Sequence, residues 1–160
     1  MIRKIFALFF VLSLFIGMSA RAEEGIKIGV ETPLTGSGAT PGHLLLWGFQ
    51  IAADEINAKG GVLGKKIIPV IRDDESQVQK AITNVKELIY NEKVCAIFGP
   101  LNSGSALAIV PIVQQEKVPV MFSVATATRI IELSQNAPNS PVNKHVFLQH
   151  SQATARNSSE

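Results

Sequence analysis

The chain has 160 residues, 46% hydrophobic and 18% charged, the composition of one folded domain and not of a disordered tail. Its 15 basic and 13 acidic side chains give a net charge of +2, too small for a nucleic-acid or anionic-membrane footprint. The single cysteine, Cys95, excludes an internal disulfide framework and reads as a small buried hydrophobe.

The N-terminus reads as an export leader. Met1-Ile2-Arg3-Lys4 is a basic start, residues 5–18 are apolar and uncharged, and Ser19-Ala20-Arg21-Ala22 ends in an Ala-x-Ala pattern. The apolar run is too short to span a bilayer comfortably, so cleavage after Ala22 is expected. Cleavage removes three of the 15 basic side chains and none of the 13 acidic ones, leaving a charge of about −1. No cysteine stands at the cleavage site to carry a lipid. The mature chain is expected in the periplasm, where it folds on its core alone.

A first strand is expected over 26–30, followed by a long Gly/Pro/Ser/Thr loop over 31–42. Loops of that length are often functional. The spacing of Leu45, Gly48, Ile51, Ala52, Glu55 and Ile56 predicts a helix over 42–58 with the Leu, Ala and Ile residues on its inner face, and Gly60-Gly61 stops it. A second strand is expected over 66–71. Pro69 assigns it to a sheet edge, because proline cannot donate to a ladder. Ser76 is expected to cap a second helix with an apolar stripe of Val78, Ala81, Ile82, Val85, Leu88 and Ile89. Residues 94–98 are apolar throughout, as a central parallel strand should be.

Gly99-Pro100-Leu101-Asn102-Ser103-Gly104-Ser105 follows. It is either an ordinary turn with Ser105 as N-cap or an anion site at a helix start, with Ser103, Asn102 and Gly104 around the ligand's acid group. A third helix is expected over 105–115 with Ala106, Ile109, Ile112 and Val113 inward. A fourth strand over 118–122 leads to a second hydroxyl-rich turn, Ser123 to Thr128. A short helix over 129–133, a loop, and a fifth strand over 145–148 complete the pattern.

Alternating strands and helices predict an α/β fold, a doubly wound parallel sheet with right-handed crossovers. In the order 2-1-3-4-5, the loops after strands one, three and four meet at one edge, beyond the strand C-termini where such sheets bind ligands. Other chemistries fit less well. Gly36-Ser37-Gly38-Ala39-Thr40-Pro41-Gly42 misses the dinucleotide spacing by one residue, and Pro41 stands where an amide should face a pyrophosphate. No cofactor is expected. His43, His145 and His150 fit no metal-ligand spacing. Asp73-Asp74-Glu75 suits a strand end and helix start better than acid–base work. Trp47 is either core filler or a cleft wall.

Ile26-Lys27-Ile28-Gly29-Val30, Pro33-Leu34-Thr35-Gly36 and the run from Gly48 to Gly64, above all Glu55-Ile56-Asn57-Ala58-Lys59-Gly60-Gly61, resemble the leucine/isoleucine/valine-binding protein family. These are periplasmic substrate-binding components of branched-chain amino acid ABC transporters. Asp73-Asp74, Ile97-Phe98-Gly99-Pro100 with Ser103, and Val118-Pro119-Val120 continue the match, which runs to about Thr128.

The resemblance implies two α/β lobes of the type I periplasmic binding protein fold, closing on a ligand. Residues 23–148 look like the first lobe, and 149–160 like the start of a crossing to a second. Ser103 then corresponds to the residue that binds the ligand carboxylate, and Ala125 to one offering backbone groups. Where the family usually has a threonine this chain has Ala127, so either Thr126 or Thr128 would supply the hydroxyl for the ligand's ammonium group or the ligand would differ from the family's. Pro41 and Trp47 would contact the ligand side chain.

The implied function is capture of an amino acid or related small carboxylate or amide for an inner-membrane ABC permease, by a monomer without enzymatic activity. A sensory receptor lobe of the same fold, and an exported enzyme using Asp73 and Asp74, are the alternatives.

Overall fold

The computed structural model describes residues 25–122, 124–135 and 146–148. In chain order these form β1 (Ile26–Glu31), a 3-10 turn (Gly36–Gly38), α1 (Ala39–Ala58), β2 (Ile67–Arg72), α2 (Val78–Tyr90), β3 (Ala96–Phe98), α3 (Ser103–Glu116), β4 (Val120–Phe122), α4 (Thr128–Gln135) and β5 (Val146–Leu148). All neighbouring strands pair in parallel, in the order β2-β1-β3-β4-β5. This is the doubly wound order expected. The export leader, His145, His150 and the stretch 149–160 lie outside the described residues.

Pro69 sits opposite Ile28 on β2, the edge strand, as its missing N–H requires. The two sheet faces bury different clusters. Val30, Leu45, Leu46 and Leu101 pack with Phe49 and Phe98 on one face. Val85, Leu88, Ile97, Ile109, Val113, Val120 and Phe122 fill the other, beneath α2 and α3.

The Asn57-Ala58-Lys59-Gly60-Gly61 motif has a structural cause. The Asn57 side chain grips the start of β2 with two bonds, accepting from the Ile67 N–H at 2.7 Å and donating to the Ile67 carbonyl at 2.9 Å. Gly60 and Gly61 take φ of +100° and +76°, and the Gly61 N–H closes on the Ile56 carbonyl at 2.9 Å, which ends α1.

Several local expectations are corrected. The inner face of α1 is rotated: Leu45 is buried as expected, with Gly42, Leu46 and Ala53, whereas Ile51, Ala52 and Ile56 are exposed. Apolar residues surround much of this helix, so spacing alone does not choose the face that meets the sheet. Helix α1 also starts earlier than expected, because the loop after β1 winds directly into it. Cys95 is exposed, since β3 begins only at Ala96. Ser76 does not cap α2. Gln77 occupies that position, and the Ser76 hydroxyl instead accepts the Gly38 N–H at 2.9 Å. Among the described residues no helix is long and apolar enough to cross a membrane.

Candidate functional site

The turn after β3 is shaped by backbone contact. Gly99 has φ +105° and precedes a cis peptide to Pro100. A Cβ at Gly99 would collide with the Glu31 carbonyl oxygen, so glycine lets the ends of β1 and β3 lie this close. The Gly99 N–H donates to the Met121 carbonyl at 3.0 Å and joins the turn to β4.

Helix α3 begins at Ser103, two residues before the expected start, with Asn102 as its N-cap. The Asn102 side chain makes no capping bond, and a helix leaves its first N–H groups without intrahelical partners. Ser105 is therefore not the cap. It is buried in the first turn, and its hydroxyl donates to Asp74 Oδ2 at 3.3 Å.

The Ser103 hydroxyl accepts the Thr126 N–H at 3.3 Å. The turns after β3 and β4 thus meet at the carboxyl edge of the sheet. Ala125 is buried in the core cluster with Phe122 and Ile130. Thr126 and Thr128 are exposed, with Thr128 opening α4. Asn102 and Gly104 flank Ser103 at the helix start, and Gly104 is exposed.

Beside these turns lies an apolar cavity of about 400 Å³, lined by Pro41, Leu44, Leu45, Gly48, Phe49, Phe98 and Val124. The Phe49 and Phe98 rings stand 5.4 Å apart at 39°. Pro41 is on this wall. Trp47 is not on it and is not core filler either: it is 56% exposed on α1, with its ring 5.9 Å from His43. The pattern of α1 places Leu44 and Gly48 one turn apart on the cavity side, a feature masked in the sequence because neither residue type signals binding. Phe98 reads in sequence only as part of an apolar strand, and Phe49 carries no reading of its own.

The loop after β1 is held by the β2–α2 connection. Asp73 Oδ1 accepts the N–H groups of Leu34 at 2.8 Å, Thr35 at 3.3 Å and Glu75 at 2.8 Å, and Oδ2 accepts the Thr35 hydroxyl at 2.7 Å. Partial burial pushes the Asp73 carboxyl up, but the Thr35 hydroxyl and these N–H groups outweigh it and hold it below its ordinary value. Asp74 is fully buried, and burial raises its carboxyl against the opposing Ser76 and Ser105 bonds, with the Asp73 charge adding to the rise. Both aspartates therefore hold loops, as strand-end residues should. Among the described residues, no group of three or more His, Cys, Asp or Glu is placed to hold a metal ion.

Glu31, at the end of β1, is a buried acid that pattern reading passed over. Both its carboxylate oxygens and Thr32 Oγ1 lack a hydrogen-bond partner among the described residues. Burial, with help from the Asp74 charge, pushes its carboxyl up to about 8, against a smaller opposing effect of the Asn84 amide.

A family described as "Periplasmic binding protein" matches residues 25–157. The Leu/Ile/Val-binding protein homolog 7 of Brucella abortus (strain 2308) is 38% identical over 114 residues, covering 71% of this chain and 28% of the relative. Among solved structures, the branched-chain amino acid transporter substrate binding protein LivJ from Streptococcus pneumoniae, in complex with isoleucine, superposes with a TM-score of 0.69 at 32% identity. That match covers 78% of this chain and 33% of LivJ. A solute binding protein of an ABC transporter from Rhodopseudomonas palustris BisB5, in complex with 3,4-dihydroxy benzoic acid, gives 0.66 at 29% identity, covering 79% and 32%. The chain thus spans about a third of the length of the proteins it matches. With the sheet order, the paired turns and the family match in agreement, the chain belongs to the periplasmic binding protein family.

Proposed function

We propose that this chain supplies the first lobe of an extracytoplasmic solute-binding protein, which captures an amino acid or related small carboxylate and hands it to an inner-membrane ABC permease. One observation carries the reading: the Ser103 and Thr126 turns meet at 3.3 Å beside an apolar cavity. An acid group placed at the start of α3 would take hydrogen bonds from Ser103 and the first-turn N–H groups of Asn102, Ser103 and Gly104. The hydroxyl of Thr126 or Thr128 and the backbone at Ala125 would meet the ligand's amino end. Its hydrocarbon part would enter the cavity between Pro41, Phe49 and Phe98. The isoleucine and 3,4-dihydroxy benzoic acid held by two structural neighbours share this chemistry, a carboxylate on a largely apolar body.

The reading is non-enzymatic and needs no cofactor, because Asp73 and Asp74 are committed to holding loops. The protein acts as a monomer, exported by the leader and cleaved after Ala22. Closure of a second lobe over the ligand would shift the population from open to closed.

Isothermal titration of the full chain with L-leucine, L-isoleucine, L-valine and benzoate tests this. At least one carboxylate binds, and its alcohol counterpart (leucinol for leucine) binds more than about tenfold more weakly, the worth of a charge-assisted bond. Equal binding of acid and alcohol, or no binding by any acid, overturns it.

A further inference from the structure

The β2–α2 connection touches both arms of the candidate site. Asp73 and Ser76 hold the loop after β1. Asp74 faces inward, accepting the Ser76 N–H at 2.8 Å on Oδ1 and the Ser105 hydroxyl at 3.3 Å on Oδ2. Ser105 stands two residues after Ser103 in the first turn of α3. Glu31 lies beside Asp74, also fully buried, with neither oxygen hydrogen-bonded among the described residues.

We propose that Asp74 is a positioning residue which, through Ser105, sets the first turn of α3 and with it the Ser103 hydroxyl against the Thr126 turn, with Glu31 buried beside it. The geometry requires little else. Ser105 has one hydroxyl, Asp74 is fixed at its other oxygen, and both are buried. A hydrogen bond to a carboxylate out of water is among the stronger links available to a loop.

The groups around Glu31 favour its neutral form. Asp74 and Asp73 face it from the connection and Asn84 from α2. Arg72 is opposite it in the β1–β2 register, but the Arg72 guanidinium is turned to Glu87 and Glu92. Ionisation of Glu31 sets a second negative charge against Asp74 in the core. That repulsion pulls on the Ser105 bond, so the α3 turn loosens as pH rises through about 8.

The test needs no ligand for its first arm. In the full chain, amide exchange is followed at Ala106, whose N–H donates to the Asn102 carbonyl at 2.9 Å, and at Thr126, with rates corrected for the intrinsic pH effect. Ser105→Ala speeds Ala106 exchange about tenfold, and Ser105→Thr restores the wild-type rate, because the hydroxyl is the link. Wild type shows a further rise across pH 7 to 9, on the order of several-fold. Glu31→Gln does not.

The second arm rests on the reading of Ser103 as ligand anchor: Ser105→Ala weakens L-leucine binding about tenfold and Ser105→Thr does not. Exchange within about twofold of wild type in Ser105→Ala, or an unchanged pH rise in Glu31→Gln, overturns the proposal. If wild type does not bind L-leucine, the anchor reading fails for that ligand while the exchange arm still decides the positioning role.

Discussion

The Thr126 N–H donates to the Ser103 hydroxyl oxygen at 3.3 Å, across 23 residues of chain. This one bond turns two separate loops into a single surface at the carboxyl edge of the sheet. It also leaves the Ser103 hydroxyl hydrogen available to a ligand, since the oxygen serves as acceptor.

Ser103→Ala is expected to weaken binding of whichever carboxylate the full chain takes by about tenfold or more, a cost of about 1.5–3 kcal/mol for a hydrogen bond to a charged group. Stability should change by less than about 1 kcal/mol, because the bond is exposed. Titration calorimetry beside urea denaturation separates the two effects, and a variant with wild-type affinity removes Ser103 from the site.

Glu31 makes stability depend on pH in a direction unusual for a carboxylate. Its folded value, about 8, lies above its ordinary 4.5. Between these values the native state keeps a proton that the unfolded chain has lost, so stability falls as pH rises across the window and is level outside it. Glu31→Gln removes the titration. Its stability should be flat over that range and exceed wild type near pH 8 by a few kcal/mol, on the order set by the shift. Denaturation midpoints measured from pH 4.5 to 8 give the answer, and a wild-type midpoint that rises with pH contradicts it.

Asp73 works in the opposite sense. Its folded value is depressed by the Thr35 hydroxyl and the N–H groups of Leu34, Glu75 and Thr35 despite partial burial. Its stabilisation is present above pH 3.8 and is lost as pH falls through the folded value. Asp73→Asn should cost about 2 kcal/mol at pH 7, the sum of weakened charge-assisted bonds, and flatten the acid limb of the stability curve. An acid limb as steep as wild type would show that other carboxylates set it.

Gly99→Ala forces a Cβ into the Glu31 carbonyl at a φ of +105°. The expected loss is about 3 kcal/mol or more, from steric collision added to a backbone conformation that side chains avoid. Chemical denaturation measures it, and a loss below 1 kcal/mol would mean the β1 and β3 ends separate easily.

Cys95 is exposed just before β3. Ellman's reagent should label it in the folded chain within minutes and without denaturant, at a rate comparable to a free thiol. Cys95→Ser should shift stability by no more than about 0.5 kcal/mol, as for other surface positions. Labelling that requires urea would place this thiol in the core.

The residue pattern by itself determined the class of the fold, and the structure fixed the strand order. Apolar strand runs alternating with a clear 3.6 stripe in α2 point to an α/β parallel sheet, and Pro69 suits the edge strand it occupies. Ser103 and the hydroxyl-rich turn around Thr126 were legible too, because small residues between a strand and a helix carry a recognisable turn chemistry. Tertiary contact decided the rest. Helix α1 is apolar on several sides, so only the sheet chose which side to bury. Cys95 reads as core in a strand expected from residue 94, but β3 begins two residues later, at Ala96. Trp47, which the pattern left as core filler or cleft wall, stands exposed and is not core filler, while Phe98, read within an apolar strand, lines the cavity together with Phe49. Glu31, Asp74 and Ser105 come from three separate segments, and no local period brings them together. Their burial, and the proton it favours on Glu31, exists only because the fold removes all three from water.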